Sequence, residues 1–433
     1  MEHLATIDSA AWPRLVTLQR GFLAKQKARR AETSFAQACV DAGIELDIAA
    51  PSGPDLLVEH DALFFRLARS GWLGLAEGYM AGEWLTSDSD ALVDVLEKLI
   101  RSGYNPSAQP PKASHDDGGE VPHELVALYS GDGLSDHPGI FATGVPTTVR
   151  EIFPSFVPRA GRGKEPKTHF VDQTTVSEPT AIEREDLLHA QGRAATWLLD
   201  AAHVGAGTHL LVHGGSGGRV AEEAARRRAI VDLIGADTEF LDHLSEQFIL
   251  RGVSDSVHVQ EVASAVPGPK EWRGRYEALV SVDRLALLTE QQREHFIATV
   301  DKLLAHGGRA TLSTYVMSED APPSTQSALS VMRAYVWPGF NAPTVHEVHK
   351  LCERHSGLRI VAQSHCGPHA EPSLRLQRHR FEAKSREAAA AGFDEVFRRL
   401  WVFQFALREA LLRVGHLDYV QFTAVHRTRG GRR

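Results

Sequence analysis

Cysteine is scarce in this chain. Its 433 residues include only three cysteines, Cys39, Cys352 and Cys366, and no two of them form a C-x-x-C pair. Cysteines this scattered provide neither a disulfide framework nor a zinc site, so they favour a reducing compartment. The 22 histidines show no H-E-x-x-H spacing, and we therefore expect no bound metal.

Long apolar runs and an excess of positive charge are also missing. No run approaches the roughly 20 apolar residues that a membrane-spanning helix needs. The first residues are acidic and interrupted by Pro13, unlike a signal peptide. The formal net charge of −8 gives a nucleic-acid partner no electrostatic support. We expect a cytoplasmic protein whose contact with the inner face of the membrane, where it occurs, is peripheral.

The most informative stretch runs from Gly207 to Arg228. An apolar run at 208–212 predicts a buried strand, a glycine-rich turn follows at 214–218, and the Ala-, Glu- and Arg-rich segment 220–228 predicts a helix. Strand, glycine turn and helix form the opening unit of a nucleotide-binding α/β domain. No G-x-x-x-x-G-K-[ST] motif is present, which excludes a P-loop.

The glycine turn has three interpretations. Gly214, Gly215 and Gly217 would let a cofactor lie against bare main chain, beside the free N–H groups of the helix that follows. The same residues satisfy G-x-S-x-G, with Ser216 as the nucleophile of a hydrolase. In the third interpretation the turn connects a strand to a helix and binds nothing.

Further polar residues suit one or another of these interpretations. Asp232 is predicted to end the second strand, where it would either bind a ribose or cap the strand. Asp283 is predicted to end the fourth strand, at the carboxyl edge where ligands bind. With Ser216, the residues Asp283 and His365 or His369 would complete a hydrolase triad. The region before residue 208 shows no clear strands, although an α/β-hydrolase needs several there.

Alternating strands and helices continue to the end of the chain. They imply a mostly parallel sheet with helices on both faces. We predict a small helical α+β domain at 1–105, a linker and irregular insertion at 106–180, and an α/β domain at 181–428 whose Pro- and aromatic-rich segment 318–342 is a lid. The seven predicted strands are 208–212, 229–234, 256–260, 276–282, 309–316, 358–363 and 418–425.

A basic helix is predicted near the N-terminus, at residues 15–45. Its cluster Lys25, Lys27, Arg29 and Arg30 is either a solvated helix face or a patch for anionic lipid headgroups. In the second interpretation, apolar lid residues Trp337 and Phe340 would add affinity for a bilayer.

Several stretches resemble the cyclopropane fatty acid synthase family, including its actinobacterial fatty-acid methyltransferase branch. They are GLAEGYMAGEW at 74–84, YVWPG at 335–339, Pro368-His369 followed by LRL at 374–376, and YVQFT at 419–423, in the family's order. The resemblance implies a class I S-adenosylmethionine-dependent methyltransferase-like fold, which is Rossmann-like with a seven-stranded sheet. It also implies S-adenosylmethionine as cofactor and the unsaturated acyl chains of phospholipids as substrate.

The cofactor loop departs from the family pattern, acidic-I-G-x-G-W-G, at two positions. His213 stands at the acidic position and Gly217 at the tryptophan position. We therefore expect weakened S-adenosylmethionine binding, because a neutral histidine cannot replace a carboxylate opposite a cation. The family's H-Y-D-x-x-N-D motif is not recognisable, and Tyr129–Asp136 is at most a remnant of it.

The family's catalytic positions are replaced as well. By the resemblance its glutamate falls on Ala286, its tyrosine on Ala370, its His or Gln near Ser313, and its Y-S-C segment near 168–171, which has no cysteine. This predicts a degenerate methyltransferase with little activity when isolated. The alternative hypothesis is a non-catalytic paralogue that binds lipid or forms an oligomer with an active lipid-modifying enzyme. A serine hydrolase using Ser216 is the third hypothesis.

Overall fold

The structure is a computed structural model that describes residues 2–18, 21–50, 53–106, 120–162, 165–182, 187–264, 266–268 and 271–427. Residues 107–119 of the predicted linker and insertion, and residues 183–186 at the start of the predicted α/β domain, lie outside these residues. The chain forms two compact units. The N-terminal unit contains 1–114, 320–338 and 374–416, and the sheet unit contains 115–319, 339–373 and 417–433. The domain boundaries at 105 and 181 stay a prediction.

The described residues form eleven strands and seventeen α-helices. The strands are β1 Leu57–Val58, β2 Trp84–Leu85, β3 Pro146–Pro154, β4 Thr168–Val176, β5 His209–His213, β6 Ile230–Gly235, β7 Val257–Glu261, β8 Tyr276–Val282, β9 Leu304–Met317, β10 Leu358–His365 and β11 Leu417–His426. The helices are α1 Pro13–Val16, α2 Phe22–Asp41, α3 Ala62–Ser70, α4 Trp72–Met80, α5 Ser89–Arg101, α6 His123–Tyr129, α7 Leu187–Ala201, α8 Gly218–Arg226, α9 Thr238–Leu250, α10 Arg284–Leu287, α11 Glu290–Leu303, α12 Pro323–Ala328, α13 Ser330–Tyr335, α14 Val345–His355, α15 Gly367–Ala383, α16 Ser385–Ala390 and α17 Glu395–Arg413. No helix in the described part of the chain is long and apolar enough to cross a membrane.

The sheet unit is built on a nine-stranded sheet in the order β3-β4-β10-β11-β9-β8-β5-β6-β7. Strands β7, β6, β5, β8 and β9 run parallel, and β11 is antiparallel to both β9 and β10. All seven strands predicted from the sequence form within this sheet. Their apolar runs allow burial on both faces, as in β8, where six of seven residues are buried. The predicted Rossmann-like α/β fold is confirmed.

Two further strands extend the sheet beyond the predicted seven. Strands β3 and β4 form an antiparallel hairpin, and β4 pairs in parallel with β10. This part of the predicted irregular insertion is therefore regular, and that prediction was wrong. The hairpin gave no sequence signal because β3 is exposed along almost its whole length and carries little of the apolar alternation that marks a strand.

The N-terminal unit contains one two-stranded sheet, in which β1 pairs with β2. The alternation of apolar and polar residues at 46–48 is typical of a strand, but this segment forms no strand and leads into a turn. The carboxylates of Glu45 and Asp47 accept the backbone N–H groups of Asp47 and Ala49, each at 2.8 Å. Such local side-chain bonds compete with strand pairing, and aspartate favours them.

Candidate active site

The glycine turn joins β5 to α8, as predicted. Gly214 has φ +99°, a conformation that side-chain-bearing residues rarely adopt. A Cβ on Gly217 would lie 2.3 Å from Cγ1 of Val212, and one on Gly215 would lie 2.7 Å from the ring of Phe240. The close packing therefore requires these glycines, and a carboxylate oxygen of Glu120 lies 3.5 Å from where a Cβ on Gly214 would stand.

Ser216 does not belong to a hydrolase triad in this structure. Its hydroxyl donates to the carbonyl oxygen of Val282 at 3.3 Å. Both nitrogens of His369 are occupied, because Nδ1 accepts from the Phe141 N–H at 2.9 Å and Nε2 lies 3.0 Å from the Ser177 carbonyl. Among the described residues, only β3 and β4 precede β5 in the sheet. The geometry thus contradicts the hydrolase hypothesis.

The other triad histidine, His365, is committed elsewhere. Its Nδ1 lies 2.6 Å from a carboxylate oxygen of Asp418, and its Nε2 lies 3.2 Å from the side-chain amide of Gln363. Both partners belong to the sheet, on β11 and β10. His365 therefore contributes to the polar packing of two neighbouring strands.

His213 ends β5 with an almost completely buried side chain. Burial, reinforced by the positive charge of Arg284, lowers the pKa of His213 from 6.5 to about 3. Its ring lies 5.1 Å from that of Phe296, and within the described residues its buried Nδ1 has no hydrogen-bond partner. The imidazole is therefore neutral at physiological pH and adds no positive charge to the cofactor loop.

The buried imidazole makes stability depend on pH. Between about pH 6.5 and 3 the unfolded chain binds a proton at His213 that the folded chain does not, so stability falls as the pH is lowered through this window. The loss is roughly 2 kcal/mol between pH 7 and pH 5. We expect His213→Gln to remove that part of the acid dependence. Urea unfolding at both pH values measures it.

The control for this prediction is the exposed His295, whose replacement by glutamine should leave the pH dependence as in the native protein. An unchanged difference between pH 7 and pH 5 in His213→Gln would contradict the assignment of this proton to His213.

Glu120 is the functional candidate that the sequence did not reveal. Its Oε1 accepts the N–H of Gly215 at 3.1 Å and lies 3.3 Å from a guanidinium nitrogen of Arg284. Both charged side chains are almost fully buried, with relative exposures of 8% for Glu120 and 4% for Arg284. A carboxylate thus reaches the glycine turn from a different chain segment, although β5 supplies none.

Asp283 lies beside the glycine turn, at the carboxyl end of β8. It adopts a left-handed conformation with φ +56°, and its N–H donates to the Ser313 carbonyl at 2.9 Å. The phenol of Tyr419, at the start of β11, lies close enough to the Asp283 carboxylate for the two groups to interact electrostatically. The ring of Tyr419 meets that of Tyr315 edge-on at 5.1 Å. Burial, together with the charge of Asp283, raises the pKa of Tyr419, so the phenol is neutral.

Asp232 lies apart from these residues. Strand β6 continues to Gly235, so the prediction that Asp232 ends the strand is wrong. Its carboxylate accepts the Tyr276 hydroxyl at 2.8 Å and lies 3.3 Å from Nε2 of His209. These partners begin β8 and β5, at the opposite edge of the sheet from the glycine turn. The first acidic residue after the carboxyl end of β6 is Asp237, which N-caps α9 by accepting the Phe240 N–H.

The structure places the replaced family positions at two locations. Ala286 is buried in α10, three residues from Asp283, and Ser313 is buried beside Asp283 on β9. Ala370 is buried in α15, next to His369, and segment 168–171 begins β4. Glu120, Arg284, Asp283 and Tyr419 thus lie at the glycine turn or beside the residues that reach it, and we call them the loop cluster.

A glycine turn at the carboxyl edge of this sheet, with acidic side chains beside it, defines a class I methyltransferase-type α/β protein. The sequence model of the mycolic acid cyclopropane synthetase family matches residues 169–422. The chain therefore belongs to the mycolic acid cyclopropane synthetase family.

One relative and two solved structures are similar to this chain. The chain is 28% identical to a tuberculostearic acid methyltransferase, UfaA1 of Mycobacterium tuberculosis, over 97% of this chain and 96% of that one. Its fold is similar to that of the cyclopropane synthase MmaA2 from Mycobacterium tuberculosis, with TM-score 0.50 and 21% identity over 56% of this chain and 87% of that one. Coclaurine N-methyltransferase shares the fold at TM-score 0.55 and 11% identity, over 81% of this chain and 98% of that one.

Proposed function

We propose that this protein transfers a methyl group from S-adenosylmethionine to the unsaturated acyl chains of phospholipids. The family supports this proposal, as does the similarity to a tuberculostearic acid methyltransferase along nearly the whole chain. The observation that carries it is the pairing of Asp283 with Tyr419 at the carboxyl edge of the sheet, beside the glycine turn.

The residues around the turn suit the cofactor. A carboxylate oxygen of Glu120 lies against Gly214 and accepts the Gly215 N–H, which demonstrates that the main chain of the turn can donate to an anion. The loop cluster supplies both signs of charge, as a zwitterionic ligand requires. When bound, S-adenosylmethionine supplies an electrophilic methyl group on a sulfonium centre.

Asp283 and Tyr419 meet the chemical need of the acceptor. The alkene would take the sulfonium methyl group of bound S-adenosylmethionine through its π electrons, and the sulfur would keep the electrons of the broken C–S bond. The neighbouring carbon of the acyl chain becomes positive, and a proton must leave so that a C–H electron pair can form the last bond. A carboxylate oxygen of Asp283 accepts that proton and stabilises the positive charge, while the neutral phenol of Tyr419 lies beside the carboxylate.

The test is transfer of labelled methyl from S-adenosylmethionine to oleoyl-phospholipid vesicles by the protein expressed alone. We expect multiple turnovers from the native protein. We expect none from Gly217→Val, because a side chain at Gly217 would collide with Val212. Turnover that survives this substitution would point to a contaminating enzyme, and absence of turnover in the native protein would contradict the proposal.

A second candidate function is a non-catalytic paralogue that partners an active lipid-modifying enzyme. Ala286 and Ala370 favour it, because both stand at family catalytic positions, are buried, and offer no group that could accept a proton. This candidate is supported if the protein binds S-adenosylhomocysteine in calorimetry yet transfers no methyl group until a second enzyme is added.

We infer that the substrate bilayer is met through helix α2. Lys25, Lys27, Arg29 and Arg30 are all exposed on this helix, and Phe22 beside them has a relative exposure of 75%. We call these five residues the basic patch. Basic residues around an exposed aromatic ring are typical of surfaces that bind anionic headgroups.

The predicted contribution of the lid to this surface is wrong. Trp337 and Phe340 are both buried, with relative exposures of 7% and 1%, and so present no apolar surface to a bilayer.

Reversing two charges should therefore weaken membrane binding. Each basic residue near an anionic surface contributes about 1 kcal/mol, so Lys25→Glu with Arg29→Glu, four residues apart on one helix face, should lower partitioning into phosphatidylglycerol vesicles at least about tenfold. Flotation with and without phosphatidylglycerol measures it, and exposed Lys350→Glu is the control. Equal binding to both kinds of vesicle would reduce the basic patch to an ordinary solvated surface.

A further inference from the structure

The ion pair of Glu120 and Arg284 is placed at the glycine turn itself. Glu120 bonds to Gly215, and Arg284 begins α10, immediately after Asp283. Such a buried pair is costly to desolvate and is weak evidence for a stabilising role. Its position instead suggests recognition of a ligand, because Glu120 Oε1 lies against the main chain of the turn, 3.5 Å from where a Cβ on Gly214 would stand.

The pair matches one part of the cofactor. The amino-acid end of S-adenosylmethionine carries an ammonium group and a carboxylate on the same carbon. A carboxylate and a guanidinium 3.3 Å apart present the complementary charges at a similar spacing, and the guanidinium can hold a carboxylate through two parallel hydrogen bonds. His213, where the family has an acid, is neutral and supplies neither charge.

We propose that Glu120 and Arg284 together bind the amino-acid end of S-adenosylmethionine, with Glu120 taking the ammonium group and Arg284 the carboxylate. This assignment rests on the proposed function, since it requires the cofactor to bind. The acid that is missing from the end of β5 is then supplied by the segment that precedes α6. The presence of histidine at position 213, where the family has an acid, therefore leaves the cofactor site intact.

The test is calorimetric titration of the full chain with three ligands: S-adenosylmethionine, S-adenosylhomocysteine and 5′-methylthioadenosine, which lacks the amino-acid end. We expect Glu120→Gln to weaken the first two by about tenfold to a hundredfold, because a hydrogen bond to a charged group is lost. The affinity for 5′-methylthioadenosine should stay unchanged. Adding His213→Asp to Glu120→Gln should restore part of the loss.

Glu124→Gln is the matched control, because this carboxylate lies four residues away on α6 and is 55% exposed. Equal weakening of all three ligands in Glu120→Gln would show a structural role for Glu120 and overturn the proposal. Unchanged binding of S-adenosylmethionine to Glu120→Gln would overturn the proposal too. Tighter binding would also overturn it, because it would show that Glu120 competes with the ligand. If the native protein binds none of the three ligands, the proposed function fails as well. Binding by the native protein therefore separates a failure of the Glu120 and Arg284 assignment from a failure of the proposed function.

Discussion

Replacing Asp283 by asparagine is expected to lower the turnover number for methyl transfer by about a hundredfold to a thousandfold, the range typical of losing one preorganised electrostatic group. The side-chain amide cannot accept the proton that leaves the acyl chain, and it does not stabilise a positive carbon as a carboxylate does. Asparagine tolerates the left-handed conformation that Asp283 adopts. The substitution therefore tests charge and not backbone strain.

Single-turnover kinetics with labelled S-adenosylmethionine and calorimetry with S-adenosylhomocysteine should be measured together. We expect unchanged affinity with slower chemistry. Asp255→Asn, at an exposed carboxylate in a surface turn, is the control. A variant with native turnover would remove Asp283 from the chemistry, and a variant that loses affinity alone would assign it to cofactor binding instead.

The second large effect concerns stability. Replacing Glu83 by glutamine should destabilise the N-terminal unit by roughly 3–5 kcal/mol, because a buried charge is left without its counter-ion. Arg66 and Glu83 are both fully buried, and their closest approach is 2.8 Å. The guanidinium also donates to the Leu15 carbonyl at 2.6 Å, so it cannot readily turn to solvent.

Urea unfolding followed by circular dichroism measures this loss. The control is Asp172→Asn, which breaks an ion pair with Arg150 whose side chains are 44% and 65% exposed. Exposed pairs contribute about 0–1 kcal/mol, so this variant should unfold close to the native midpoint. Equal midpoints for the two variants would show that water reaches Arg66 in the native state.

The sequence predicted those elements whose signals are local. The apolar run of β5, the glycines after it and the helix-forming residues of α8 lie within one short stretch, and steric contacts at Gly215 and Gly217 explain why glycine is needed there. The strands on both sides of β5 were predictable for the same reason, since burial on both faces makes a continuous apolar run.

The parts that the sequence did not predict depend on distant contacts. Glu120 lies in a Pro-, Ser-, Gly- and Asp-rich segment, and its meeting with Gly215 joins residues 95 positions apart. Tyr419 reaches Asp283 only because β11 inserts beside β9. Asp232 was misplaced because strand ends are poorly marked in a sequence, and an error of a few residues moves a side chain away from the ligand-binding edge.

The division of the chain has a consequence for its synthesis. The N-terminal unit is assembled from three separate segments, and within it α5 packs against α17, which lies near the end of the chain. At common ribosomal rates of about 5–20 residues per second, the roughly 300 residues between these helices take about 15–60 s to emerge. The apolar face of α5, which includes Leu92 and Leu96, lacks its cover throughout that interval. Chaperones that bind nascent chains can therefore bind the apolar face of α5 during this interval. If translation stops before α17 is made, that face stays uncovered and the truncated chain is prone to aggregate.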